Sequence, residues 1–161
     1  VYKRQSDEEA VLENKIAEYD AFLTKQDPAF TVEELEEAMQ KVMDQYAGGI
    51  GTHYQFNEKQ LAMAEEKIKK LQILAKGLAA ADMHELMFIY ELKERLTVCL
   101  TVIAHLRARK ETRWHSFAEN LDYPEKSDAW LCYVNSKKNG DQITMIRRDL
   151  VKGGETYEHR D

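Results

Sequence analysis

Residues 82–109 read DMHELMFIYELKERLTVCLTVIAHLRAR, and the placing of apolar side chains in that stretch decides the fold class. Ile89, Leu92, Leu96, Cys99, Ile103 and Leu106 step by 3, 4, 3, 4 and 3, which keeps them on one face of a helix with 3.6 residues per turn. Asp82 stands three residues before Glu85, the spacing at which each side chain can reach the other's backbone N–H and start a helix. The helix is predicted to run to about Arg109. Arg107, Arg109, Lys110 and Arg113 cluster there, where cations complement the negative end of the helix dipole. Glu91 and Arg95 stand four apart and predict a surface ion pair.

The same grammar repeats upstream. Asn57 with Gln60 opens a lysine-rich helix whose stripe is Leu61, Ala64, Ile68, Leu71, Ala75 and Leu78, with Gly77 placed to end it early. Thr31 with Glu34 opens another, striped by Leu35, Met39, Val42 and Tyr46 and closed by Gly48 and Gly49. Ser6 to Lys25 predicts an amphipathic helix with Leu12, Ile16, Tyr19 and Leu23 facing inward, and Gln26-Asp27-Pro28 interrupts it. Stripes of mixed 3 and 4 spacing favour helices packed at roughly 20°. The fold class is therefore mainly α: a bundle of three long helices plus an N-terminal helix.

Beyond Thr112 the helical period stops. Trp114, Phe117, Tyr123 and Trp130 crowd an irregular segment, and Lys138-Asn139-Gly140-Asp141 sits between the runs Trp130–Ser136 and Gln142–Leu150. Asn-Gly in that setting predicts a β-hairpin with those two residues at the turn. The expected organisation is residues 1–5, 6–30 (helix and linker), 31–112 (helical bundle) and 113–161 (aromatic segment, hairpin and polar tail). Val1-Tyr2-Lys3-Arg4-Gln5 has no initiator methionine and matches the translation of a transposon-end adapter, so these residues are expected to be non-native and the gene to extend upstream of Ser6.

Composition narrows the function classes. The 161 residues carry 23 basic and 29 acidic side chains, a net charge of −6, which argues against nucleic acid as a partner because phosphate-backbone binding needs a cationic surface. No apolar run approaches the roughly 20 residues of a membrane span, so direct membrane insertion is not expected. None of His53, His84, His105, His115 and His159 has a glutamate three residues before it, so the di-metal carboxylate signature of helical bundles is missing. Cys99 lies on a core stripe, where burial raises a thiol's pKa and makes a nucleophile improbable. Gly48-Gly49-Ile50-Gly51 has neither the phosphate-loop lysine nor a dinucleotide fingerprint. The basic cluster at 107–113, with Trp114, His115 and Phe117 beside it, could hold an anion, but dipole compensation is the preferred reading.

One stretch is specific. Arg109-Lys110-Glu111-Thr112-Arg113-Trp114, followed by Asp122-Tyr123-Pro124, Asp128 and Trp130, resembles the C-terminal region of the fumarate reductase and succinate dehydrogenase flavoprotein family. That family shows Glu-Ser-Arg-Gly, then Asp-Tyr-Pro, an acidic pair and a tryptophan. Asp82-Met83-His84-Glu85-Leu86 resembles the start of its long helix. Trp114 in place of the glycine, and Trp130-Leu131-Cys132-Tyr133-Val134-Asn135-Ser136-Lys137, look like the adenylylsulfate reductase alpha-subunit branch. Asn120 stands where that branch tends to have arginine, which leaves the substrate open.

The resemblance covers roughly Thr31 to Ser136. It implies an FAD-dependent parent that passes electrons between flavin and substrate with an iron–sulfur partner subunit; a cytoplasmic location is expected from Cys99 and Cys132, which form no CxxC pair and suit a reduced compartment. The FAD domain and its catalytic residues would lie upstream, so this stretch is expected to bind no cofactor or metal, to hold no catalytic residue and to serve in packing. Arg113, Trp114, His115, Phe117, Tyr123 and Trp130 are the expected interface to that missing flavin domain, since arginine with aromatic anchors is the composition of interface hot spots. A freestanding helical interaction module is the alternative from another class, and a small metal or redox enzyme is the weakest.

Overall fold

A computed structural model describes residues 2–140 and 142–151, with side chains from Glu8 onward. Its helices are α1 (Tyr2–Leu23), α2 (Val32–Tyr46), α3 (Glu58–Ala75) and α4 (Met83–Ala108). Two short strands, β1 (Gln55–Phe56) and β2 (Glu119–Asn120), pair in parallel, and β3 (Cys132–Asn139) and β4 (Gln142–Asp149) form an antiparallel hairpin. The protein is mainly α. The chain divides into two compact units, Val1–Lys41 with Lys67–Val98 and Val42–Glu66 with Cys99–Asp161.

The helix starts follow from their caps. At α2, the Thr31 N–H donates to the Glu34 carboxylate at 2.9 Å and the Glu34 N–H donates to the Thr31 hydroxyl at 3.2 Å, a complete reciprocal box. At α4, Asp82 accepts from the N–H groups of His84 and Glu85, both at 2.9 Å, while Glu85 reaches one residue further back to the Ala81 N–H at 2.7 Å. The α3 start is only half of the expected pair. The Asn57 side chain accepts the Gln60 N–H at 2.9 Å, but the Gln60 side-chain oxygen finds no partner, and Asp122, far along the chain, accepts the Glu58 N–H at 2.7 Å instead.

In the first unit the core is Phe22, Leu35, Met39, Ile68, Leu71, Ala75, Leu78, Ala80, Leu86, Ile89, Leu92 and Leu96. The α3 stripe is buried throughout, though the helix stops at Ala75 and Leu78 packs from the turn beyond it. Contrary to the expected stripe of α1, Leu12 and Ile16 are exposed, at 60% and 49%, and Phe22 is the buried residue. The face turned to α4 is Lys15, Glu18, Tyr19 and Phe22, because Tyr90 of α4 organises it. Its ring meets Tyr19 edge-on at 5.4 Å and Phe22 at 6.3 Å, and its hydroxyl accepts from Lys15 at 3.1 Å. Lys93 sits 4.4 Å from the same ring and pairs with Glu18. Lys15 also pairs with Glu18, and with Lys93 it holds that carboxyl down at about 2. Arg95 bridges Glu91, as expected, and Glu36 of α2.

The second unit buries Phe56, Leu61, Ala64 and Ile103 with Glu111, Thr112 and Asn120. Cys99 is half-buried, and burial pushes its thiol up. After α2, Gly48 takes φ +76, the left-handed geometry that closes helices. The hairpin is offset by one residue from the expected turn. Asn139 pairs with Gln142 as the last rung, so the loop begins at Gly140, whose φ of +59 suits a two-residue connection. The polar tail expected after Leu150 lies outside the described residues from position 152 onward.

Leu96 has no exposed surface. Leu96→Ala is expected to destabilise the protein by roughly 2 to 5 kcal/mol, the range for truncating a core leucine. Denaturant midpoints at unchanged m-value measure it, and a loss below about 0.5 kcal/mol would contradict the core assignment.

Candidate functional site

Chain direction changes sharply after α4, and one carboxylate organises the turn. Glu111 follows the helix by three residues and its side chain is fully enclosed. Arg113 forks onto it with both bonds at 2.9 Å, Nε to Oε1 and Nη2 to Oε2, the bidentate geometry that planar guanidinium and carboxylate groups favour. The Ser127 N–H donates to Oε2 at 3.0 Å, and Arg109 closes the other side. Burial alone would push the Glu111 carboxyl up, but Arg113, the Ser127 N–H and Arg109 together hold it at about 2.

Both arginines carry the network outward. Arg109 donates to the carbonyls of Trp130 at 3.1 Å and Cys132 at 3.2 Å, and Arg113 donates to that of Ser127 at 3.3 Å. Next along the chain, the buried Thr112 hydroxyl donates to the Tyr123 carbonyl and accepts the Asn120 N–H, both at 2.9 Å, while its own N–H donates to Glu125. The amide of Asn120 donates to the Arg109 carbonyl at 3.4 Å and accepts the Asp122 N–H at 3.1 Å. The segment from Arg109 to Cys132 is thus an irregular fold held by polar bonds in place of a helix or sheet ladder.

The six residues expected at an interface fall into two groups. Arg113 and Trp130 are turned into the network. Trp130 is half-buried, with the Arg147 guanidinium 4.3 Å and the Arg109 guanidinium 5.9 Å from its ring. Trp114, His115 and Phe117 share a tight turn that closes on itself, with the Phe117 and Ala118 N–H groups donating to the Trp114 carbonyl at 3.1 and 3.0 Å. Trp114 is 69% and Phe117 73% exposed, and His115 stands 3.7 Å from Glu119. Tyr123 is also exposed, with Lys110 5.2 Å from its ring.

The basic cluster at 107–113 is satisfied by carboxylates. Arg107 pairs with Glu58 at 2.8 Å and with Glu65, and Lys110 stands 3.9 Å from Glu58. An anion there would compete with three glutamates. Among the described residues, no cluster of three or more histidine, cysteine, aspartate or glutamate side chains is placed to hold a metal ion, and no helix is long and apolar enough to cross a membrane. Sequence reading missed Asn120 and Asp122 as bracing groups, because their partners are fixed by folding. The alternation Arg109, Glu111, Arg113 was the available signal for a buried charge cluster.

Comparison with known proteins adds four findings. The family model for the fumarate reductase flavoprotein C-terminus matches residues 36–155. Adenylylsulfate reductase subunit alpha of Megalodesulfovibrio gigas is 34% identical over 98 residues, which cover 60% of this chain and 15% of that protein. Among solved structures, adenylylsulfate reductase from Archaeoglobus fulgidus aligns at TM-score 0.83 and 31% identity over 93% of this chain and 26% of its own. The E. coli quinol fumarate reductase flavoprotein aligns at TM-score 0.73 with 18% identity and shares the fold alone. The chain therefore spans about a quarter of the solved chains it resembles.

Glu111→Gln is expected to destabilise the second unit by roughly 1 to 3 kcal/mol, because it leaves two partly solvated guanidinium groups facing a neutral amide at an enclosed position. The folded carboxyl titrates near 2 against an ordinary value of 4.5, so its stabilisation is complete above about pH 4.5 and fades as pH falls towards 2. Chemical denaturation between pH 2 and 6 should show this slope in the native protein and a shallower one in Glu111→Gln. Parallel slopes would remove Glu111 from this role.

Proposed function

Because the chain belongs to the fumarate reductase flavoprotein C-terminal family, we propose that it is the C-terminal helical domain of an FAD-dependent oxidoreductase subunit similar to adenylylsulfate reductase alpha. Its role is structural: it packs against the flavin-binding part of the same subunit, and the parent works in the cytoplasm with an iron–sulfur partner subunit. FAD belongs to the remainder of that subunit. The sequence has no GxGxxG pattern of the kind that receives a dinucleotide pyrophosphate.

The observation that carries this reading is the exposed Trp114–Phe117 turn mounted on the Glu111 network. Two large rings held largely in water are the kind of apolar surface that marks a protein contact, and backbone bonds close the turn that carries them. Identity of 31% to 34% with adenylylsulfate reductases across their matching region supports the choice of branch.

Two measurements test it. Titration of the chain with FAD, followed by flavin fluorescence, is expected to show no stoichiometric micromolar binding; such binding would reject a purely structural role. Acrylamide quenching reads Trp114 and Trp130, the only tryptophans. One component should quench as an exposed indole, and two buried components would remove the docking face. In the gene, a Gly-rich strand–loop–helix fingerprint is expected upstream, and a start codon beside Ser6 would favour the freestanding interaction module.

A further inference from the structure

A second turn lies against the Trp114–Phe117 turn, in the same unit. It runs from Gly49 to Tyr54, between α2 and β1. Asp44 clamps its base: the Gly51 N–H donates to the Asp44 carboxylate at 2.9 Å. A Cβ on Gly49 would come 2.3 Å from the Asp44 Cα, so only glycine fits. At the far end His53 and Tyr54 both take the left-handed conformation, at φ 54 and 64, and Ser116 of the neighbouring turn does the same at φ 69. Non-glycine residues adopt this geometry at an energetic disadvantage, least for asparagine, and such positions concentrate where a contact demands them.

The two turns are joined. The Tyr54 carbonyl accepts the Glu119 N–H at 2.9 Å, and the Tyr54 ring lies 6.3 Å from that of Phe117. Ile50, 75% exposed, projects from the clamped turn. The clamped turn thus presents Ile50, and the Tyr54 ring beside Phe117, at one surface.

We propose that the Gly49–Tyr54 turn is the second half of the docking face, with Ile50 and Tyr54 seating against the flavin-binding part of the same subunit alongside Trp114 and Phe117. This rests on the function proposed above. The occupant follows from length: this chain aligns with 26% of the solved relative's chain, so in a parent of that size about three-quarters of the polypeptide is tethered to this domain. A tethered surface acts at a high effective concentration and outcompetes a free second copy for the same patch.

The test uses the full-length parent subunit and three variants. Tyr54→Asn removes the ring and its contact with Phe117 while relieving the left-handed strain, so its local effects oppose each other. Ile50→Ser, at a position 75% exposed, is the deciding variant, and a purely local role predicts an unchanged Tm for it. Docking predicts a fall of about 3 °C or more in this variant, which leaves the backbone alone, and a fall in the same direction in Tyr54→Asn. Trp114→Ala is the control for the underlying reading. If Trp114→Ala lowers Tm while Ile50→Ser does not, the proposal is overturned and the reading of the first turn stands. If none of the three lowers it, both fall. A loss of dimer mass on light scattering in Tyr54→Asn would identify a second copy as the occupant and also overturn the proposal.

Discussion

A carboxylate taken out of water beside α4 must be matched charge for charge and bond for bond, and that constraint shapes everything from Arg109 to the hairpin. Glu111 receives a two-bond fork from Arg113, a backbone N–H from Ser127 and a contact from Arg109. Each partner then has its own surplus donors to place. Arg109 places them on Trp130 and Cys132, Arg113 on Ser127, so one buried charge fixes the start of the hairpin and the path of the intervening loop. Apolar side chains of similar volume could fill the space, but they would not specify which carbonyls must converge.

The helices rest on a different kind of constraint. Their stripes bury leucine, isoleucine and alanine, and their ends are satisfied by Thr31, Asn57 and Asp82. Such caps and stripes are local: each partner is three or four residues away, and the helix forms in register with its own sequence. Around Tyr90 the situation is mixed, because Lys15, Glu18 and two rings from α1 meet Tyr90 and Lys93 of α4. Polar and aromatic contacts there, in place of a leucine seam, leave Val11, Leu12 and Ile16 in solvent.

Rigid support and exposed rings occur together in the second unit. The Trp114–Phe117 turn stands on the Thr112 and Glu111 bonds, and the Gly49–Tyr54 turn is clamped by Asp44 and tied to Glu119. Bracing the backbone of both turns in advance lowers the entropy that a contact must later overcome. The result is a surface of aromatic side chains carried on turns whose polar groups are already engaged among themselves.

By itself the sequence determined the helices, their starts and the hairpin's existence, because apolar period, capping pairs and an Asn-Gly turn act over a few residues and leave a direct mark. It also carried the family motif around Glu111, Thr112 and Arg113. Only the tertiary structure decided that Asp122 would cap α3 across 64 residues, that Phe22 and not Leu12 would face the core, and that Tyr54 would stand beside Phe117. Each depends on which distant groups arrive at one place. A carboxylate or ring has no preferred long-range partner until packing removes water and makes every unmet bond costly, and no local period in the chain records that outcome.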